Sequence, residues 1–310
     1  MTTHRPHRVS PQAQSLALAL AQQHHTMLAG AGCSFEEAQA LLRPGVCDES
    51  DETVAVRLAA HMLGFVPDDV DCLAHAWQRQ TQRLGHFDMQ RWPTEAQDFG
   101  VPPTPRSAAF AACPPKLGLY AVLPDAQWVA RLAQAGVPTL QLRFKSDDPQ
   151  AVAREVKAAV QAVQGTSSLL FINDHWQAAI DAGAYGVHLG QEDMDDAPLE
   201  QIRQAGLRLG LSTHGYAEML RADAASPSYL ALGAVFPTTL KRMKTAPQGL
   251  GRLYAYAKLM QHHSLVAIGG IDRHNIADVQ RSGVGSVAMV RAITGATDPI
   301  AAARELQALI

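Results

Sequence analysis

Two acidic residues directly follow two short apolar runs in the middle of the chain. Asp174 comes after the run at 169–172, Asp193 comes after the run at 186–190, and a helical segment separates them. This pattern predicts strand, helix, strand, with an acid at the carboxyl end of each strand. Parallel neighbouring strands lie about 4.8 Å apart, so both carboxylates would emerge side by side. Such a pair repels unless a cation lies between, which indicates Mg²⁺ shared with a substrate diphosphate.

A second polar set precedes this one. Gln141, Arg143 and Lys145 alternate with apolar residues, so a strand would place all three on one face. Arg143 as a bidentate fork and Lys145 as a point charge suit a diphosphate beside the two acids. A buried salt-bridge network would use the same residues, and this pattern alone favours neither interpretation.

Two later strand ends add polar groups. Ser212 ends an apolar run, where it either faces the rim or caps the following helix. Residues 236–251 form a longer loop rich in Lys, Thr and Gly, which is typical of a lid over a substrate. Lys241 in this loop would be a third cation, unless it is an ordinary exposed lysine. His188, inside a short apolar run, is interpreted as a packed core residue.

The last two apolar runs end in residues typical of phosphate binding. One ends in Gly269-Gly270 and the other in Val290-Arg291. In barrels these positions commonly bind phosphate through backbone N–H groups and a helix amino terminus. The glycine pair could equally form a tight turn.

Positioning these residues requires a particular fold. Eight strand patterns alternate with helical segments, which predicts an α/β protein with a (β/α)₈ barrel, or TIM barrel, near its lower size limit. A doubly wound open sheet is the alternative, although the chain carries no dinucleotide-binding fingerprint. The predicted strands are residues 117–123, 139–144, 168–173, 186–190, 207–213, 229–236, 265–271 and 286–290.

The barrel pattern occupies only part of the chain. Residues 1–98 show helical patterns alone and carry no recognisable chemistry, which favours a structural or interaction module. Residues 99–116 contain five prolines, so they are predicted to form a linker. We therefore predict a small all-helical N-terminal region of unknown role at 1–98, a linker at 99–116 and a barrel domain at 117–310.

Composition excludes several classes of partner. The 310 residues are 47% hydrophobic and 18% charged, with a formal net charge of −3, so we expect no nucleic-acid or membrane partner. Small-molecule substrates and a possible homo-oligomer remain. The four cysteines have no zinc-type spacing and indicate free thiols. Since no signal-peptide pattern is present, we expect a cytoplasmic protein.

Taken in order, these strand ends resemble the thiamine phosphate synthase family in its short proteobacterial form. The resemblance runs from residue 117 to about residue 309. The segments that carry it include TLQLRFK, FINDHWQAAI, AYGVHLGQED, YLALGAVFPT, APQGL, VAIGGI and GVGSVAMV. It implies a transferase that joins 4-amino-5-hydroxymethyl-2-methylpyrimidine diphosphate to thiazole phosphate, giving thiamine phosphate and pyrophosphate. It also implies Mg²⁺ as cofactor and departure of diphosphate before the thiazole nitrogen attacks.

The resemblance also implies roles for individual residues. Asp174 and Asp193 would bind the metal, and Arg143, Lys145 and Lys241 would be the catalytic cations. The residues implied to bind substrates are Gln141, Arg143, Lys145, Asn173 and Ser212 on the pyrimidine side, Lys241 at the departing diphosphate, and Thr238, Gly249, Gly270, Val290 and Arg291 on the thiazole side.

Two departures from the family pattern leave alternatives open. Leu240 stands where the lid usually has a threonine, and Arg291 stands where a serine usually follows strand eight. A non-catalytic or altered-specificity homologue that binds thiamine-pathway phosphates is one alternative, and a thiazole tautomerase-like enzyme is another. Independently of these departures, residues 50–98 fit either the remnant of a fused pyrimidine phosphate kinase or a helical cap for oligomerisation.

Overall fold

The computed structural model describes residues 9–102, 108–238 and 245–310. Eight parallel strands form a closed barrel, in which each strand pairs with the next and the last pairs with the first. The predicted barrel is therefore confirmed. The strands are β1 Gly118–Leu123, β2 Thr139–Leu142, β3 Leu169–Asn173, β4 Gly186–Leu189, β5 Arg208–Thr213, β6 Tyr229–Gly233, β7 Leu265–Ile268 and β8 Ser286–Met289.

Side chains of alternate residues separate the barrel core into two layers. Tyr120, Phe171 and Tyr229 point inward and form a compact interior cluster, whereas neighbouring residues such as Ala121 and Ile172 pack outward against the helices. Successive side chains of a strand point to opposite faces of the sheet. In this barrel the inward side chains fill the interior, and the outward ones pack under the surrounding helices.

Helices connect the strands and cover the barrel. Polar caps start several of them; Asp125, for example, accepts a hydrogen bond from the backbone N–H of Trp128 at 2.9 Å. The helices of the barrel are α5 Ala126–Gln134, α6 Pro149–Ala162, α7 Trp176–Ala182, α8 Asp193–Asp196, α9 Leu199–Gln204, α10 Tyr216–Ala224, α11 Gly249–Leu259, α12 Ile276–Gln280, α13 Arg291–Thr294 and α14 Pro299–Ala308.

The described part of the N-terminal region is helical, as predicted. Ser34 and Glu37 form the capping box that their spacing indicates. The four helices precede the barrel in the chain and are α1 Pro11–Leu28, α2 Phe35–Ala40, α3 Asp51–Met62 and α4 Pro67–Leu84. Among the described residues, no helix combines the length and the apolar character that a membrane crossing needs.

The segment between the helices and the barrel lies partly outside the described residues, since residues 103–107 are not among them. Its later part runs along the amino-terminal end of the barrel. There the N–H of Phe110 donates to the carbonyl of Ser226 at 3.0 Å, and the hydroxyl of Ser264 donates to the carbonyl of Pro114 at 3.1 Å. The extent of the linker stays a prediction.

Candidate active site

A cavity of about 970 Å³ opens at the carboxyl ends of the strands. This is the end at which barrel enzymes carry their chemistry, because the loops after the strands converge there. Ten of the residues predicted as site residues line it: Gln141, Arg143, Asn173, Asp174, Asp193, Ser212, Thr238, Gly270, Val290 and Arg291.

The two acids meet at the mouth of this cavity. In the register of β3 with β4, Asn173 pairs with His188, so Asp174 leaves the sheet next to the loop that leads to Asp193. The Asp193 carboxyl lies within hydrogen-bonding reach of the Asp174 carboxyl. It also accepts a hydrogen bond from the backbone N–H of Gly190 at 2.9 Å, which fixes it at the start of α8.

The electrostatics of Asp174 reflect this crowding. Although the residue reaches solvent at the cavity mouth, desolvation of its carboxyl and then repulsion from Asp193 raise its pKa, while His175 and Arg143 oppose the rise. Its backbone adopts φ 62°, a left-handed conformation that is uncommon outside glycine and costs about 1–3 kcal/mol. The chain therefore holds two mutually repelling carboxylates together at a strained position.

An oxygen-only donor set of this kind suits a hard divalent cation. Two adjacent carboxylates with open access to solvent and to a phosphate-bearing ligand fit Mg²⁺ better than a metal that prefers nitrogen or sulfur. Arg143, half-buried on the same wall, provides a positive charge beside the pair.

Amide side chains form the floor next to this pair. Gln141 donates from Nε2 to Oδ1 of Asn173 at 2.7 Å, and both residues are buried. Asn173 also lines the cavity, so its amide is available there to a bound ligand as a hydrogen-bond donor. A neutral polar edge of a ligand would fit against such a donor.

Two predicted site residues are not among those that line the cavity, and a third falls outside the described residues. Lys145 is exposed and is not among the residues that line the cavity, since β2 ends at Leu142 and the alternation does not continue to it. Gly249 starts α11, where its N–H donates to the carbonyl of Val235 at 2.9 Å. Lys241 and Leu240 lie outside the described residues, so their predicted roles rest on the sequence alone.

A hydrogen-bonded chain of side chains crosses the barrel interior, and sequence reasoning missed it. The hydroxyls of Tyr120 and Tyr229 lie 2.7 Å apart, Tyr229 lies 2.7 Å from Nδ1 of His188, and Nε2 of His188 lies 2.9 Å from Oγ of Ser212. Burial raises the pKa of both tyrosines well above the ordinary value, so both are neutral. The interpretation of His188 as a packed core residue is incomplete, because it also lines the cavity.

Gly210 leaves the space in which these hydrogen-bonded side chains lie. A Cβ at residue 210 would lie 2.1 Å from the ring of Tyr229, so Gly210 in β5 is what lets the tyrosine ring cross the interior. The inward position of His188 on β4 was the available signal in the sequence, since inward residues near the carboxyl end of a barrel strand form both core and cavity wall.

A second group of possible metal ligands lies away from the cavity. His262 and His263 each place Nε2 near Oδ1 of Asp223, at 3.2 and 2.8 Å. These contacts form a hydrogen-bonded network that joins the end of α10 to the segment after α11. No local pattern in the sequence indicates this network, because the acid and the histidines are about 40 residues apart.

The wall opposite the acids is built from backbone. Gly269 and Gly270 follow β7 with φ 105° and 65°, conformations that glycine adopts without strain. A Cβ at Gly270 would lie 2.7 Å from the carbonyl oxygen of Pro237, so the chain passes close to the lid base there. Arg291, exposed at the start of α13, brings a second guanidinium to the cavity.

Comparison with known proteins decides the family. Residues 119–293 match the family model described as thiamine monophosphate synthase. The chain belongs to this family. The thiamine monophosphate synthase family match covers the barrel except the first residue of β1, the last residue of α13 and the whole of α14.

Individual members of the family agree. The chain is 55% identical to a thiamine-phosphate synthase of Neisseria meningitidis over 193 residues, which are 62% of this chain and 94% of the relative. It is 51% identical to a thiamine-phosphate synthase of Serratia proteamaculans over 201 residues, 65% of this chain and 95% of the relative. A solved structure of thiamine phosphate pyrophosphorylase from Pyrococcus furiosus is 29% identical with a TM-score of 0.56, covering 62% of this chain and 95% of that one.

Proposed function

We propose that this protein is a thiamine phosphate synthase, which condenses 4-amino-5-hydroxymethyl-2-methylpyrimidine diphosphate with thiazole phosphate. One observation supports this more than any other: the carboxyls of Asp174 and Asp193 meet beside Arg143 at the mouth of a single large cavity. The family membership of the barrel and the names of its relatives support the same reaction.

On this proposal the diphosphate of the first substrate binds at the mouth. Arg143 forms charge-assisted hydrogen bonds to it, and the amide of Asn173, held by Gln141, donates to the pyrimidine substrate. Asp174 and Asp193 would hold Mg²⁺, which when bound would neutralise the diphosphate charge. Ser212 on β5, hydrogen-bonded to His188, contacts the pyrimidine of the same substrate.

The chemistry needs no side-chain nucleophile. The C–O bond between the pyrimidine methylene and the diphosphate breaks, its electron pair leaves with the diphosphate, and the thiazole nitrogen donates its lone pair to form the new C–N bond. Negative charge grows on the leaving group, so Arg143, together with Lys145 and Lys241 as proposed cations, stabilises the transition state more than the ground state.

The thiazole phosphate would bind on the opposite wall. Thr238, Gly270, Val290 and Arg291 line that side of the cavity, and Gly249 lies at the lid base. The Arg291 guanidinium adds positive charge where an anionic phosphate is expected, which supports a ligand role for this departure from the family pattern.

The same proposal assigns the domain boundaries of the chain. We assign the synthase domain to residues 117–310, the linker to 99–116 and an additional helical region to 1–98. We place the reaction in the cytoplasm, which the free thiols of Cys33, Cys72 and Cys113 support.

The experiment is a pyrophosphate-release assay with both substrates and Mg²⁺. We expect product only when all three components are present, and we expect Asp174→Asn to lower kcat by at least about 100-fold because one of the two proposed metal ligands is lost. Asp147→Asn, an exposed acid after β2, is the matched control and should leave the rate unchanged. Tight binding of the pyrimidine diphosphate without release of pyrophosphate would instead identify a non-catalytic homologue.

A further inference from the structure

The N-terminal helices pack against one side of the barrel, formed by α10 and α11. The ring centroid of Phe65, which lies between α3 and α4, is 5.9 Å from that of Tyr216 of α10, and Tyr216 also contacts Tyr256 of α11 at 4.8 Å. Trp92 donates from Nε1 to the hydroxyl of Tyr216 at 2.9 Å. The helical region therefore forms a buried aromatic interface with the barrel and is not a tethered arm.

A carboxylate from the helical region caps a barrel helix at this interface. The residue at the N-cap position of α10 is Gly215, which has no side chain to satisfy the first N–H groups. Asp69 of α4 takes that role: its Oδ1 accepts a hydrogen bond from the N–H of Ala217 at 2.9 Å. An anionic acceptor at a helix amino terminus also interacts favourably with the helix dipole.

The fit at this cap is tight. Asp69 is 4% exposed, and a Cβ at residue 215 would lie 2.2 Å from its Oδ2. Glycine at 215 is therefore what admits the carboxylate of a residue that is distant in the sequence.

The barrel caps the helical region in return. Arg252, in the first turn of α11, donates from Nε to the carbonyl of Leu28 at 2.9 Å and from a terminal nitrogen to the carbonyl of Leu63 at 2.8 Å. These carbonyls end α1 and α3, where a cation interacts favourably with the helix dipole. The guanidinium also lies 3.8 Å from the ring centroid of Phe65.

The capped helix α10 begins directly behind the cavity wall. Ser212, Thr213 and His214 line the cavity and lead straight into Gly215 and α10. The N–H and Nδ1 of His214 both contact Glu218 of α10, so hydrogen bonds join the start of this helix to the rim segment.

We propose that Asp69 is a positioning residue of the active site, which acts through the start of α10 to hold the segment 212–214 against the cavity. The helical region is then a built-in part of the catalytic unit. This inference rests on the proposed function, since it assigns the effect to the pyrimidine side, where Ser212 lies.

The relatives make the inference specific to this chain. The Neisseria meningitidis protein aligns over 94% of its own length and over only 62% of this chain, while the family match begins at residue 119. The Asp69 cap therefore comes from a part of the chain that this match does not include.

The test uses the full chain with three variants. Asp69→Ala removes the acceptor, Asp69→Asn keeps an uncharged acceptor of the same shape, and Asp68→Ala is the control, since the Asp68 side chain is 77% exposed on the same helix. Hydrogen–deuterium exchange of the segment 212–218 and the KM for each substrate are measured for all of them.

We expect Asp69→Ala to speed exchange at 212–218 and to raise the KM for the pyrimidine diphosphate about 5- to 10-fold, with the KM for thiazole phosphate changed by less than about twofold. Asp69→Asn should restore both readouts, and Asp68→Ala should match the wild type. Unchanged exchange, an equal rise in both KM values, or no rescue by asparagine would overturn the proposal.

A second variant and one result for the wild-type protein complete the test. Should Asp69→Ala fail to fold, Gly215→Ala displaces the carboxylate from the α10 side and is expected to give the same exchange and KM changes; wild-type values there would refute the proposal. A wild-type chain that released no pyrophosphate would contradict the proposed function, and the exchange data would still decide whether Asp69 fixes the segment 212–218.

Discussion

Nε2 of His188 lies 2.9 Å from Oγ of Ser212, which joins the interior of the barrel to the wall of its cavity. The other ring nitrogen of His188 contacts Tyr229, whose hydroxyl contacts Tyr120 in turn. Tyr120, Tyr229 and His188 are buried, so their polar groups form hydrogen bonds within the protein. The orientation of Ser212 is thus set by residues on three other strands.

Tyr229→Phe tests this dependence. Removing the hydroxyl leaves Tyr120 and Nδ1 of His188 without that partner, so we expect the free energy of unfolding to fall by about 1–3 kcal/mol in urea titrations. Tyr254→Phe removes an exposed hydroxyl that donates to the carbonyl of Asp278 and should change stability by less than about 0.5 kcal/mol. Equal losses in the free energy of unfolding for the two substitutions would contradict a special role of the hydrogen-bonded side chains in the barrel interior.

Arg291→Ser tests the thiazole side of the cavity. If the guanidinium binds the phosphate of thiazole phosphate, its loss should raise the KM for that substrate about tenfold, which corresponds to about 1.4 kcal/mol. The KM for the pyrimidine diphosphate should stay the same. A preserved or higher turnover with no KM change would show that Arg291 obstructs the site or points elsewhere.

The sequence predicted the barrel well because its signal is local. Each observed strand begins within one residue of its predicted start, since apolar runs flanked by helical patterns are read directly from the chain. The ends were less accurate: the second strand was predicted to reach Phe144 but ends at Leu142, because the chain leaves the sheet to start the loop. The prediction that Lys145 shares the face of Arg143 depended on that longer strand.

The pairing of Asp174 with Asp193 was predicted from strand adjacency alone, and the structure brings these carboxyls together. Other features of the site could not be predicted because their causes are distant in the sequence. The cap of α10 by Asp69 joins residues 148 positions apart, and no local pattern indicates it. The single sign of this cap in the sequence was Gly215 at the N-cap position, which has no side chain to cap the helix, and glycine is common at that position for other reasons.

Arg252→Met tests the return contact of the barrel with the helical region. The substitution leaves the carbonyls of Leu28 and Leu63 without their guanidinium donor, so we expect a loss of about 2–4 kcal/mol in the free energy of unfolding. Arg131→Met is the control, because the exposed Arg131 only places its guanidinium 4.8 Å from the ring centroid of Trp128 and should contribute less than about 1 kcal/mol. A loss no larger than that of the control would show that the carbonyls are satisfied in another way.

The buried carboxyl of Asp69 predicts a pH dependence of stability. Desolvation raises its pKa to about 6, although the hydrogen bond from Ala217 and the charge of Arg252 lower it and Glu218 raises it. The other titratable groups that face it are Cys72 on its own helix, Tyr216 on α10 and Tyr256 on α11.

Because the native pKa exceeds the value of 3.8 in the unfolded chain, the native state holds more protons between about pH 4 and pH 6. The contribution of Asp69 is therefore greatest at low pH and is lost as the pH rises through 6. Between pH 5 and pH 7.5 we expect wild-type stability to decline relative to Asp69→Asn by about 1–2 kcal/mol, measured by urea unfolding across this range. Parallel stability curves for the two proteins would mean that the carboxyl titrates alike in the native and unfolded states, and that Asp69 caps α10 as a solvated group.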